Sequence, residues 1–236
     1  MRKDFFIFGG IDSRKYQVGI FGDQLANPPE RDRDFVSVPG KNGDVIVDNG
    51  RYKNKVVPYK AYIINRYNAN ITGLRNDLLS FTDYQRLEDS IHPDEFRMGV
   101  AIPFEVNEHG ILRAGEFEIK FNCKPQRFLK SGEQEIEITQ TTTLYNEYPE
   151  TALPLIRAYG TGSFSIGGVA IQITTANNYT DIDCELKEAY KDTLATDCNA
   201  NIVLTNGKFP SLKNGANQIT ISGLTKLEIT PRWWII

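Results

Sequence analysis

Apolar residues recur at every second position in several separate runs of this chain, and that period of two restricts it to strands with one dry and one wet face. The longest run sets Phe117, Ile119, Phe121 and Cys123 against Glu116, Glu118, Lys120 and Asn122. Shorter runs follow at Ile136 and Ile138, at Val169, Ile171 and Ile173, at Ile219 and Ile221, and at Leu227 and Ile229. Alternation of this kind belongs to antiparallel sheets, whose outer faces meet water. Four Asn-Gly pairs, Asn42-Gly43, Asn49-Gly50, Asn206-Gly207 and Asn214-Gly215, punctuate the strands with residues that tolerate the positive φ of tight hairpin turns. One helix interrupts the pattern, where Ile71, Leu74, Leu78 and Phe81 recur at helical spacing behind Asn70 as N-cap. Its apolar stripe is expected to pack on a sheet. From Asp181 to Lys191, helix-forming residues compete with the alternation of Ile182, Cys184 and Leu186, and the segment is read as a strand.

The fold class expected is therefore mainly β with a minor α component. A polar stretch rich in Thr, Glu and Gln lies between Pro125 and Pro154, and it separates two modest domains. Their expected extents are 1–130 and 153–236, with 131–152 as a connection in which Gln134 to Thr139 forms a strand. The second domain has the size and turn spacing of a small β-sandwich. Asn27 to Asp34, with its alternating charges, is read as a solvated loop, with an arm in an oligomer as the alternative.

The formal net charge is -3 with both signs interspersed, so no long basic face is available to follow a phosphate backbone or an anionic membrane. No stretch approaches the roughly 18 apolar residues that cross a bilayer. The apolar run at the N-terminus, Phe5 to Phe8, is too short for a signal peptide and reads as a first strand. Cys123, Cys184 and Cys198 are an odd set without metal-ligand spacing, expected as reduced thiols that fill core space.

Chemistry is sparse. His92 and His109 are the two histidines, and His92-Pro93-Asp94 reads as a surface turn because no serine in a nucleophile elbow accompanies it. Gly160-Thr161-Gly162-Ser163 lacks the third glycine and the Lys-Ser or Lys-Thr of a phosphate cradle, and reads as a β-turn. Asp181 and Asp183 share one side of a strand, where carboxylates ordinarily line a wet face. No catalytic, cofactor-binding or metal-ligating set is identified, and an enzyme is not expected. Trp233 and Trp234 are large rings that must be buried, and they are expected to anchor the C-terminus.

Taken in order, several segments resemble the distal tail proteins (Dit) of siphophages and prophages of Gram-positive bacteria. They are Val38-Pro39-Gly40-Lys41-Asn42-Gly43-Asp44, Asp48 to Asn54, Tyr84 to Ser90, and Phe121 to Gln126. In the second half the resemblance continues at Pro154-Leu155-Ile156, Gly160-Thr161-Gly162, Ile182 to Glu185, Phe209-Pro210, Gly215 to Ile219, and the closing Pro231-Arg232-Trp233-Trp234. Lys41-Asn42 departs from the turn residues common in relatives, a change hairpin chemistry tolerates.

This resemblance implies a sandwich-like N-terminal belt domain, with one helix and a protruding hairpin, that closes into a hexameric ring, single or stacked. A galectin-like sandwich would lie outside it. It implies as partners the tail tube protein, the tape measure protein, the tail-associated fibre or lysin, and baseplate or receptor-binding proteins. No cofactor, nucleic-acid recognition or membrane insertion is implied. The location implied is the virion tail tip, after assembly in the host cytoplasm. Exposed strand edges suit ring closure, so Val38, Pro39, Gly40, Asn42, Gly43, Asn49, Gly50, Arg51 and Tyr52 are the expected interface. The alternative function is a carbohydrate-binding sandwich for cell-wall glycans, with Tyr159, Phe164 and Tyr179 as its aromatic platform.

Overall fold

The computed structural model describes residues 4–21, 28–63, 67–105, 115–176 and 178–236, which are mainly β-strand with one α-helix among them. The chain divides into two units, Met1–Arg127 together with Ile236, and Phe128–Ile235.

The first unit contains β1 (Phe6–Phe8), β2 (Ile11–Asp12), β3 (Val18–Ile20), β4 (Arg31–Val36), β5 (Val45–Tyr52), β6 (Lys55–Ile63), α1 (Tyr67–Leu79), β7 (Gln85–Asp89), β8 (Glu95–Ile102) and β9 (Gly115–Cys123). The longest alternating run is β9, which buries Ile119, Phe121 and Cys123 completely. It pairs with β6 from Lys55↔Cys123 to Ile63↔Gly115, so the buried Val57, Tyr59, Ala61 and Ile63 share its inward face. The strand order is β2-β1-β7-β8-β9-β6-β3, antiparallel at every step.

Beyond β3 the sheet meets its own beginning, because Ile20 N–H donates to the Asp4 carbonyl at 2.9 Å. The sandwich-like layer expected here thus takes the form of one curled sheet whose ends touch. Phe6, Phe8, Tyr59 and Phe121 fill it with ring centroids 4.8 to 5.9 Å apart. The helix adds Ile71, Leu74 and Leu78 to the same core. It begins at Tyr67, so Asn70 lies within it and is not its N-cap. Phe81 lies past the last turn and packs edge-on against Phe8 at 5.6 Å.

After β10 (Arg127–Leu129), the second unit runs β11 (Ile136–Ile138), β12 (Thr142–Asn146), β13 (Leu155–Tyr159), β14 (Gly162–Ile166), β15 (Val169–Ile173), β16 (Tyr179–Asp183), β17 (Glu188–Lys191), β18 (Thr193–Asp197), β19 (Ile202–Leu204), β20 (Gly215–Ser222), β21 (Lys226–Thr230) and β22 (Trp234–Ile235). One sheet has the order β11-β21-β13-β16-β17-β18 and the other β12-β20-β14-β15-β19. Ile156, Ala158, Ile182, Leu227 and Ile229 of the first meet Phe164, Ile166, Ile171, Ile173 and Ile219 of the second in one buried cluster. This is a two-sheet sandwich.

Three local readings are corrected. The segment 131–152 is not a separate connection, because β11 pairs with β21 and β12 with β20, each becoming an edge of the sandwich. Asp181 to Lys191 is not one strand, since Lys187 at φ +60° turns the chain and donates its N–H to Asp183 O at 2.8 Å, separating β16 from β17. All four Asn-Gly pairs have a glycine at positive φ, but the tightest two-residue hairpin turns are Gly9-Gly10 and Gly167-Gly168, and Asn49-Gly50 lies inside β5.

Candidate assembly interface

Strands β4 and β5 pair with each other alone, as a two-stranded sheet apart from the curled one. Loop 37–44 joins them and carries Val38, Pro39, Gly40, Asn42 and Gly43. The hairpin has two chemically distinct parts. Its stem is a charge ladder in which Arg51 Nε sits 2.7 Å from Asp32 and Arg33 Nε 3.2 Å from Asp48. The Asn49 amide donates to Asp34 at 3.2 Å, and the Arg31 guanidinium lies 4.6 Å over the Tyr52 ring. The Arg51 hydrogen bond holds the Asp32 carboxyl below its usual range, and the Gly50 N–H followed by Arg33 does the same for Asp48.

Asn49, Gly50 and Arg51 form a bulge, because Arg31 pairs with Tyr52 while Arg33 already pairs with Asp48. Gly50 has φ +71° and its N–H donates to Asp48 Oδ1 at 2.8 Å, a conformation that excludes most side chains. The bulge carries Arg51, which contacts Asp32 across the stem.

The tip is apolar. Phe35 pairs with Ile46 and Val36 with Val45, and Phe35 and Ile46 are 65% and 57% exposed. With Val38, Val45 and Val47 they make six of the fifteen exposed large hydrophobic residues among those described. Single exposed apolar residues are ordinary, but a set gathered on one hairpin makes it the candidate binding surface. The expected interface residues thus fall on the loop and the stem. Beside them Phe35, Val36, Val45, Ile46 and Val47 are exposed, which the sequence reading did not single out. Their signal was the Val-Ile-Val run, which lacks the alternation of a half-buried strand. The loop read from Asn27 is strand from Arg31 onward, while Asn27 itself lies outside the described residues.

In the second unit, Trp233 is buried in the sandwich core and Trp234 is half-buried, its indole N–H donating to Thr151 O at 3.0 Å. Leu129 N–H donates to Trp233 O at 2.9 Å, and Arg232 N–H to Gly132 O at 2.8 Å. A Cβ on Gly132 would lie 2.2 Å from the Trp233 nitrogen, so this approach is open to glycine alone. The Arg232 guanidinium grips Asp183 through both nitrogens, at 2.9 and 2.8 Å.

Asp181 and Asp183 do not line a wet face. They are 2% and 3% exposed, with Asp181 held by Arg157 at 2.6 Å. Burial opposes the charge of Asp183, but Arg232 and the N–H groups of Leu186 and Glu185 outweigh it and hold the carboxyl below its usual value.

The expected aromatic platform does not form. Phe164 is buried in the core, and Tyr159 and Tyr179, 5.5 Å apart, lie beneath cations. Lys226 sits 4.7 Å over Tyr159, while Arg157 and Lys191 sit 4.4 and 5.1 Å over Tyr179. Their hydroxyls donate to Glu228 and Asp192. All three cysteines are free, and burial pushes the thiols of Cys123 and Cys184 up to about 12, which makes them poor nucleophiles. Asp89 caps the turn that carries His92, whose backbone N–H donates to Asp89 Oδ1 at 2.7 Å. His109 lies outside the described residues. Among the described residues no three His, Cys, Asp or Glu side chains converge as a metal site, and no helix is long and apolar enough to cross a membrane.

No protein-family model matches the chain, and neither does any curated protein. Solved structures do. The crystal structure of phage SPP1 Dit, described as a paradigm of the hub adsorption apparatus in Gram-positive infecting phages, aligns over 97% of this chain and 98% of its own with a TM-score of 0.72 and 14% identity. A chain of the phage P2 baseplate in its activated conformation with Ca aligns over 97% of both chains at a TM-score of 0.54 and 11% identity. The corresponding structure with Sr gives 0.52 and 11% over 96% of both. The chain therefore has, nearly end to end, the β-rich fold of a phage distal tail protein.

Proposed function

We propose that this chain is a structural subunit of a phage tail tip, in which copies of the first unit close into a hexameric ring and the sandwich forms an outer domain. The observation that carries the reading is the full-length likeness of fold to the SPP1 Dit hub, in which both units take part. The arm from Arg31 to Tyr52 supports it, because an apolar tip on a charge-locked stem is what a head-to-tail contact between identical subunits needs. Ring closure then draws on Val38 to Tyr52 together with Phe35 and Val36. The two tryptophans anchor the C-terminus within the sandwich.

The role is mechanical and not catalytic. The ring joins the tail tube and tape measure proteins on one side to the fibre or lysin and the baseplate or receptor-binding proteins on the other. It assembles in the host cytoplasm and ends at the virion tail tip. Gold-labelled antibody against the purified chain is expected to decorate the tip of intact particles, below the tube. Label along the tube, on the head or absent from particles would overturn this placement.

A further inference from the structure

We propose that Asn42 is a self-modification site, where the backbone nitrogen of Gly43 attacks the side-chain amide and converts the asparagine to a mixture of aspartate and isoaspartate. The inference does not depend on the assembly reading above. Every Asn-Gly pair has the atoms for this chemistry, because glycine has no Cβ to hinder the nitrogen that follows the asparagine. The chain has four such pairs, and the fold treats them differently.

Attack requires an amide that can turn toward the next nitrogen and a nitrogen that can give up its proton. Asn49 meets neither condition. Its amide donates to Asp34 at 3.2 Å, and Gly50 N–H donates to Asp48 Oδ1 at 2.8 Å. The Asn214 amide donates to the Tyr148 carbonyl at 2.9 Å, and Gly215 opens β20, where it pairs with Asn146. Asn206 and Gly207 lie inside a 3-10 turn, Thr205–Gly207, at φ +61° and +62°. Asn42 differs on every count. It sits in the exposed loop 37–44, past the turn in which Lys41 N–H donates to the Val38 carbonyl. Neither its side chain nor the Gly43 N–H has a hydrogen-bond partner among the described residues. A Cβ on Gly43 would meet nothing within 4 Å, so the ring has room to form.

The reaction balances with water as its one co-reactant. The Gly43 nitrogen loses its proton to solvent base, forms a bond to Asn42 Cγ and expels ammonia, which leaves a cyclic succinimide. Water then opens either carbonyl, giving aspartate by one and isoaspartate, with an extra methylene in the main chain, by the other. Nothing is oxidised or reduced. Residues 31–52 hold four cations (Arg31, Arg33, Lys41, Arg51) and four anions (Asp32, Asp34, Asp44, Asp48), so the new carboxylate takes them from zero to −1.

The test incubates the folded full-length protein in mildly alkaline buffer, digests it with pepsin in acid, and maps the four sites by mass spectrometry with fragmentation. Asn42 is expected to convert about tenfold faster or more than Asn49, Asn206 and Asn214, since each of those must first release a held hydrogen bond or turn. Its rate should rise with pH, and both products should appear. In urea the four rates should converge, because the pairs are chemically alike. Any other pair that keeps pace with Asn42 in the folded chain would overturn the assignment, as would an Asn42 that stays intact. A ranking that persists in urea would overturn the fold as its cause, and aspartate without isoaspartate would overturn the succinimide route.

Discussion

Arg232→Ala is expected to destabilise the C-terminal sandwich by about 3–5 kcal/mol, the ordinary cost of leaving a buried charge without its partner. Asp183 is 3% exposed, and the two hydrogen bonds from Arg232 are the charged part of its coordination. After the substitution the carboxylate keeps only the Glu185 and Leu186 N–H groups, at 2.9 and 3.0 Å. Backbone strain does not obscure the result, because Arg232 has φ +58° and alanine retains the same Cβ conflict. Urea unfolding followed by tryptophan fluorescence gives the magnitude. Adding Asp183→Asn should recover part of the loss by removing the orphaned charge.

The same pair gives a pH dependence of known sign. The folded-state carboxyl of Asp183 is held below its ordinary value, first against burial and then by Arg232. Its contribution is therefore complete above the unfolded carboxyl pKa of about 4 and is lost as the pH falls through the lower folded value. Wild-type unfolding should shift to lower urea in that acid window. The Arg232→Ala variant should lose less over the same window, because its folded-state carboxyl is no longer depressed by the guanidinium.

Replacing residues 32–51 by a short Gly-Ser turn is expected to abolish self-association completely and to leave the melting temperature of the first unit within about 2 °C of wild type. The reason is structural separation. The arm pairs only with itself, and every apolar residue at its tip is exposed, so its removal takes no side chain from the core. Light scattering after size-exclusion chromatography measures the mass and calorimetry the melting. An arm-less protein that still assembles would move the interface elsewhere on the subunit.

The periodicity of the chain made its strands legible where one face is buried. From Gly115 to Cys123 the inward residues of β9 are the alternating apolar ones, and the pattern there is sufficient because it is imposed by burial on one side. The arm was legible as a hairpin near Asn42-Gly43 but not as an apolar tip, because both faces of Val45-Ile46-Val47 are exposed and no alternation results.

Asp181 and Asp183 were misread for a different reason. Their partners, Arg157 and Arg232, lie 24 and 49 residues away, and only the pairing of β13 with β16 and the fold-back of the C-terminus bring them near. Local sequence contains the carboxylates but not the cations that make their burial tolerable. The polar residues around β12 hid that strand, since it is an edge whose outward face meets water, whereas β11 was legible from Ile136 and Ile138. The resemblance of ordered turn motifs to distal tail proteins succeeded because turns are fixed by short-range chemistry, and the matching fold extends over both units.

Negative-stain imaging of the purified full-length protein at high concentration, with class averages calculated without imposed symmetry, tests the central claim most directly. The account predicts closed particles with six-fold symmetry around an open channel. Particles of other closed symmetry, open filaments, or single subunits at every concentration would contradict it.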